Sequence, residues 1–265
     1  MNNRPIGIFD SGLGGLTVLK EMERILPNED IIYLGDTARV PYGNKSRSTI
    51  VKFSTENILF LLQKKVKIVV VACNTASALA LEYLRGIFSV PIVGVIEAGA
   101  RKAFQISANK RIGIIGTRST IASGSYEKAI LEWDDAIELY SKPCPLFVPL
   151  VEEGLLRGPV TRRLVAMYLK DLKAKKVDSL ILGCTHYPLL KHEIGRYMGK
   201  THIIDSAQEV AVHTKETLQE RNLLSSRKKP GKKGFFVTDE PRGFQKLARL
   251  FLHRDIIKPT IVTNV

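Results

Sequence analysis

Short runs of consecutive apolar residues recur along the chain, and each stops at a polar residue or a glycine. IGIFDS, DIIYLGD, KIVVVAC and PIVGVI are too short for helices and rich in β-branched residues, which predicts buried strands. Between them, LTVLKEMERIL and STIVKFSTENILFLLQKK space their apolar residues at helical intervals. After residue 100 the alternation restarts with RIGIIGT, SYEKAILEW, IELYSK, TRRLVAMYLKDLKAKK and SLILGCT. Strand and helix patterns in strict alternation predict βαβ units around parallel sheets covered by helices.

The restart carries more information than any one strand. Asp10 follows IGIF and Cys73 follows IVVVA; Thr117 follows IGIIG and Cys184 follows LILG. Each half thus has an early strand ending in polar residues and a later strand ending in cysteine. That predicts a pseudo-symmetric pair of parallel-sheet α/β domains. Ligands of such sheets bind outside the carboxyl ends of the strands, so halves that face each other turn both thiols into one cleft.

Composition narrows the class without choosing the chemistry. The 265 residues, 45% hydrophobic and 25% charged, suit an ordinary soluble globular chain of two modest domains or one large one. MNNRPIGIFDSG lacks the apolar core of a signal peptide, and Lys64, Lys65 and Lys67 break the greasiest stretch, excluding a membrane-spanning helix there. Three widely spaced cysteines, Cys73, Cys144 and Cys184, fit free thiols in a reducing cytoplasm better than a disulfide framework. The net charge of +14 is uneven: Arg221 to Lys258 holds eleven Lys/Arg and three Asp/Glu, including RKKPGKK. With Pro, Gly and no interleaved aromatics, that run reads first as a solvated loop and second as a weak nucleic-acid contact.

One cysteine at the end of a strand is ordinarily core; two at equivalent places in two halves are harder to explain that way. Three chemistries suit them. A nucleophilic thiol needs one cysteine and a base. A zinc site could recruit Cys73, Cys184, His186 and a carboxylate, but close ligand spacing is missing. Two-sided proton transfer at a carbon needs two acid/base groups related by near-symmetry, which the repeat supplies. One thiol must then be held as thiolate while the other stays protonated, with Asp10 and His186 able to take or orient protons. Ser11, Asn74, Thr75 and Thr185, at strand-to-helix junctions, would supply donors for a substrate carboxylate.

Taken together, IGIFDSGLGG with Asp10 and Ser11, ARVPYG with Pro41, Tyr42 and Gly43, VVACNTASALA around Cys73, and GCTHYPLL around Cys184 resemble the glutamate racemase family. FVPLVEEG with Glu152 matches a further family segment, and GFFVTD and FQKLARLFL extend the similarity towards the C-terminus. CNTA and GCTH alone would indicate only the wider aspartate/glutamate racemase superfamily, whose aspartate-specific members are the runner-up.

The resemblance implies that Cys73 and Cys184 are the acid/base catalysts, assisted by Asp10, Glu152 and His186. It implies that Asp10, Ser11, Tyr42, Gly43, Asn74, Thr75, Thr185 and His186 contact glutamate, with no pyridoxal phosphate or metal. It further implies two domains, 1–97 with 208–265 and 98–207, a homodimer, and production of D-glutamate for peptidoglycan.

The remaining candidates read plainly. GLGG at residues 12–15 lacks the third glycine of a dinucleotide fingerprint and the lysine of a phosphate loop, so it is a tight turn into a helix. Cys144, between two prolines, reads as structural, and His192, His202, His213 and His253 show no metal-ligand spacing.

Overall fold

A strand that is apolar at every position must be covered on both faces, and all four residues of Ile68–Val71 are fully buried. That strand belongs to a computed structural model in which residues 3–263 are described. In chain order the first part runs β1 (Ile6–Asp10), α1 (Leu16–Ile25), β2 (Ile31–Gly35), α2 (Arg47–Gln63), β3 (Ile68–Val71), α3 (Asn74–Ile87), β4 (Ile92–Gly94) and α4 (Val95–Ile106). The second part follows with β5 (Arg111–Gly116), α5 (Arg118–Ala122), α6 (Ser125–Leu131), β6 (Glu138–Pro143), α7 (Phe147–Glu152) and α8 (Pro159–Ala174). It continues through β7 (Ser179–Gly183), α9 (Lys191–Met198), β8 (His202–Asp205) and α10 (Ser206–Glu220), and the chain finishes with β9 (Lys233–Val237), α11 (Pro241–Leu252) and β10 (Thr260–Ile261).

The strands form two parallel sheets, ordered β10-β9-β2-β1-β3-β4 and β6-β5-β7-β8. The segments β2-β1-β3-β4 and β6-β5-β7-β8 are the same arrangement, as the repeat in the sequence predicts. Register makes the match exact in residues: Phe9 pairs with Val71, and Ile115 with Leu182. Cys73 and Cys184 each lie two residues past those pairs. By the same register Asp10 corresponds to Gly116, Ser11 to Thr117, Asn74 to Thr185, and Thr75 to His186.

Side chains alternate across each strand, so the first sheet has two cores. Phe9, Val69 and Val71 face one side with Ile50, Ile58 and Leu84 of α2 and α3. Ile6, Ile8, Ile68 and Val70 face the other and share one continuous core with Ile112, Ile114 and Ile181 of the second sheet. Helices α1, α4 and α10 pack together in that shared layer. The expected domain boundaries, 97/98 and 207/208, fall inside α4 and α10, the helices between the sheets.

PIVGVI is strand only to Gly94. A Cβ there would stand 2.5 Å from Leu81 Cδ2, and Val95 and Ile96 already open α4. α2 starts at Arg47 because Ser46 caps it, its hydroxyl accepting from Thr49 N–H at 3.3 Å. Among the described residues no helix is long and apolar enough to cross a membrane.

After α10 the chain returns to the first sheet, where β9 lies parallel to β2. A buried ion pair anchors this return: Lys67 Nζ lies 2.6 Å from Glu29 Oε2. Lys67 also donates to the Leu223 carbonyl at 2.6 Å, and Ser225 N–H donates to Glu29 Oε1 at 2.7 Å. RKKPGKK is the loop entering β9 and is partly engaged. Arg227 pairs with Asp30, Lys232 N–H donates to Asp30 at 2.7 Å, and Lys233 Nζ donates to the Glu29 carbonyl at 2.8 Å.

Lys67→Met leaves the Glu29 carboxylate buried without its cation. The free energy of unfolding should fall by about 3–5 kcal/mol in urea denaturation, the usual result of breaking a buried pair from one side. A loss below about 1 kcal/mol, as for an exposed pair, would contradict this anchoring role.

Candidate active site

Both thiols stand where an apolar strand meets a polar turn. Cys73 precedes α3 directly, its carbonyl accepting from Ser77 N–H at 2.9 Å, and is 5% exposed. Cys184 follows β7 and is 6% exposed. The loop after β1 lies against both. A Cβ on Gly14 would fall 2.1 Å from Thr185 Oγ1 and 2.5 Å from His186 Nδ1, so only glycine lets the loop touch the Cys184 turn.

Around Cys73 the charges are negative. Its Sγ donates to Ser11 Oγ at 3.7 Å. Burial, reinforced by Asp10 and opposed by the Ala76 N–H and Ser11, pushes this thiol up to about 12. Asp10 is fully buried and accepts from Gly12 N–H at 2.9 Å and Thr185 Oγ1 at 3.4 Å. Burial raises its carboxyl above the ordinary range, against the opposing charge of His186 and these hydrogen bonds.

Around Cys184 the dominant partner is cationic. Sγ lies 3.9 Å from His186 Nδ1, and His186 Nε2 lies 3.1 Å from Glu152 Oε1, at the end of α7. Burial alone would push the imidazolium down; Cys184, Glu152 and Asp10 reverse that and lift it to about 10. The Phe251 ring of α11 meets the imidazole edge-on, with ring centres 5.8 Å apart.

The polar residues beside the thiols join the two halves. Thr75 Oγ1 lies 3.0 Å from Thr117 Oγ1 and 3.2 Å from Thr120 Oγ1. Thr17 Oγ1 donates to the Thr185 carbonyl at 3.2 Å. Asn74 Oδ1 accepts from Tyr126 O–H at 2.7 Å, whereas Asn74 Nδ2 is buried with no hydrogen-bond partner. Gly43 abuts the second half: a Cβ there would stand 2.9 Å from Thr117 Cβ, and the Gly43 carbonyl accepts from Ser119 O–H at 2.7 Å.

Of the residues singled out from the sequence, Glu152, His186 and Cys184 form one chain of contacts, Asp10 bonds Thr185, and Ser11 bonds Cys73. Asn74 and Thr75 reach across to Tyr126, Thr117 and Thr120, and Gly43 sits at the seam between halves. Tyr42 differs in detail. Its hydroxyl donates to Asp36 and accepts from Asn57 Nδ2 at 3.1 Å, so its polar end is spent inside the first half. Asp36 also receives Arg39 Nε and Thr238 Oγ1, fixing the turn that carries Gly43.

Thr117, Thr120, Tyr126, Phe251 and Gly14 were not picked out as site residues from the sequence. Thr117 was within reach, as the register mate of Ser11, and Gly14 and Phe251 lie inside the quoted segments IGIFDSGLGG and FQKLARLFL; Thr120 and Tyr126 carry no local signal. Cys144 is buried, its Sγ 3.6 Å from the Lys142 carbonyl, and its own carbonyl holds Tyr187 O–H at 2.8 Å behind the Cys184 turn. Among the described residues no group of three or more His, Cys, Asp or Glu side chains is placed to hold a metal ion.

The family model for Asp/Glu/hydantoin racemases matches residues 6–214. A glutamate racemase of Geobacter metallireducens is 49% identical over 94% of this chain and 93% of its own length. One from Aquifex aeolicus is 48% identical over 98% of both chains. The solved structure of the Francisella tularensis glutamate racemase in complex with D-glutamate superposes with a TM-score of 0.93, at 40% identity, over 99% of this chain and 98% of that one.

The pKa of His186 makes its protonation a direct check of the Cys184–His186–Glu152 geometry. A raised pKa means the folded state favours the cation. The stability it contributes is complete below the ordinary value of 6.5 and is lost as pH rises through about 10. Imidazole nitrogen spectra should show His186 still doubly protonated at pH 8, and Glu152→Gln should move its titration downwards. A midpoint near 6.5 in the intact protein would refute the arrangement.

Proposed function

Because the chain belongs to the Asp/Glu/hydantoin racemase family, we propose that it interconverts L- and D-glutamate by proton transfer at Cα, with Cys73 and Cys184 as the two acid/base groups. The observation that carries this reading is the register of the thiols. They occupy the same position at the ends of β3 and β7, each buried among hydrogen-bonding side chains.

One sulfur takes the Cα proton, and the C–H electron pair passes to Cα and its carboxylate. The other S–H then returns a proton from the opposite face. The two surroundings suit opposite starting roles. Cys73, raised to about 12 by burial and by Asp10, rests as a proton donor, whereas Cys184 has the His186 imidazole 3.9 Å from its sulfur to exchange protons with. L-glutamate thus gives its proton to Cys184 and receives one from Cys73; D-glutamate reverses the roles.

Asp10, Glu152 and His186 assist the thiols. Ser11, Asn74, Thr75, Thr185 and His186 bind glutamate through side chains, and Tyr42 and Gly43 through the main chain. The unpartnered Asn74 Nδ2 supports this reading, because a buried donor without an acceptor is costly until a carboxylate arrives.

No metal or pyridoxal phosphate takes part, since two thiols already supply both proton-transfer groups. On this reading the chain is a cytoplasmic homodimer that feeds D-glutamate to peptidoglycan synthesis. Its two lobes are 1–97 with 208–265 and 98–207, with the site between them. Nucleic-acid binding by the basic C-terminal third has less support, because the charged ends of Arg227 and Lys233 are engaged with Asp30 and the Glu29 carbonyl.

Purified protein in chelator should racemise glutamate with no pyridoxal absorbance band, and aspartate poorly. Cys73→Ala and Cys184→Ala should each cost about a thousandfold or more, within the range lost with an acid/base group. In D₂O the product enantiomer should carry deuterium at Cα while early remaining substrate stays protiated. Equal early labelling of both, or a single-cysteine variant that racemises well, would end the two-thiol account.

A further inference from the structure

Tyr126 lies in α6 of the second half, yet its hydroxyl donates to Asn74 Oδ1, in α3 of the first half, at 2.7 Å. The ring is 1% exposed and lies beneath the Cys184 strand, where a Cβ on Gly183 would come within 3.1 Å of Cε2. One side chain therefore runs from the residue before Cys184 to the residue after Cys73. Burial raises the phenol pKa, the Ser206 hydroxyl opposes this, and Cys184 and Asp205 reinforce it, so Tyr126 stays an O–H donor.

A side-chain amide has two ends of nearly equal shape, one accepting and one donating, and its orientation is fixed by whatever each end meets. With Tyr126 donating, Oδ1 of Asn74 is taken. Nδ2 must then turn the other way, and it is the end that is buried without a partner. Without Tyr126 O–H nothing would stop the amide from turning over and presenting an oxygen to a bound carboxylate.

We propose that Tyr126 is a positioning residue for the racemase reaction. Its hydroxyl locks the Asn74 amide with Nδ2 towards a carboxylate of bound glutamate. Because the bond crosses between the halves, the amide is aligned only while the halves are together. Tyr126 reaches substrate only through Asn74, and the inference rests on the racemase reading above.

The test is a double-mutant cycle combined with a signal that does not depend on turnover. Tyr126→Phe should lower kcat/KM for glutamate about 10- to 100-fold in assays run well below its own melting temperature, with its circular dichroism spectrum unchanged. In an Asn74→Ala background the same change should alter the residual kcat/KM by less than about 3-fold. The Asn74 side-chain amide resonances, identified by their loss in Asn74→Ala, should shift in Tyr126→Phe without substrate. A Tyr126→Phe enzyme with wild-type kcat/KM, an equal loss in both backgrounds, or unmoved amide resonances would overturn the positioning role. Absence of glutamate turnover by the unaltered protein would instead overturn the racemase reading. The amide resonances still report on the Tyr126–Asn74 bond in that case.

Discussion

A parallel sheet covered on both faces leaves its strand ends as the place for polar chemistry. β3 is apolar along its whole length, β7 is apolar from Leu180 onwards, and both are buried throughout, so each tolerates a working side chain only after the last hydrogen-bonded rung. Everything at the candidate site follows from that constraint. The thiols, the amide of Asn74, the threonines and His186 all sit within a few residues of a strand end. The glycines at 14 and 43 are there because loops from different strands converge until no Cβ fits between them.

Repetition of the backbone does not mean repetition of the electrostatics. Register sets Asp10 against Gly116 and Thr75 against His186, so each half lacks what the other has. The first half supplies a buried carboxylate beside its thiol; the second supplies an imidazole that Cys184, Glu152 and Asp10 hold cationic. A symmetric scaffold thereby holds two sulfurs in equivalent places with unlike neighbours. Two-sided proton transfer needs one group as base and the other as acid at any instant, and unlike neighbours are one way to set which is which.

Much of this was legible in the sequence because period and punctuation are local. Apolar runs ending in Asp10, Cys73 and Cys184 gave the strands and the repeat, and the polar residues beside the cysteines gave the cleft. Contacts made by long-range convergence stayed hidden. Tyr126 sits in an ordinary amphipathic helix, and nothing near it announces that its hydroxyl ends at Asn74. Phe251 reaches His186 only because the chain returns through β9 and α11 to the first sheet. Tyr42 was legible as part of the ARVPYG segment, but its hydroxyl's preference for Asp36 depends on a residue that looked like a strand terminus. PIVGVI misled for a simpler reason: its apolar run serves two elements, three residues of strand and the first turn of α4.

The two contacts between the halves differ in kind. On one side lies the continuous apolar layer of α1, α4 and α10, whose burial is worth about 25 cal/mol for each Å² and which has no alternative partner. On the thiol side the halves meet largely through hydroxyls: Thr75 with Thr117 and Thr120, Thr17 with Thr185, Ser119 with Gly43, Ser125 with Ala78 and Tyr126 with Asn74. Each such bond is worth about 0.5–1.5 kcal/mol net, because water replaces it readily. The thiols are only 5% and 6% exposed, so a substrate needs a way in. Of the two contacts, only the hydroxyl seam offers one without exposing the shared core.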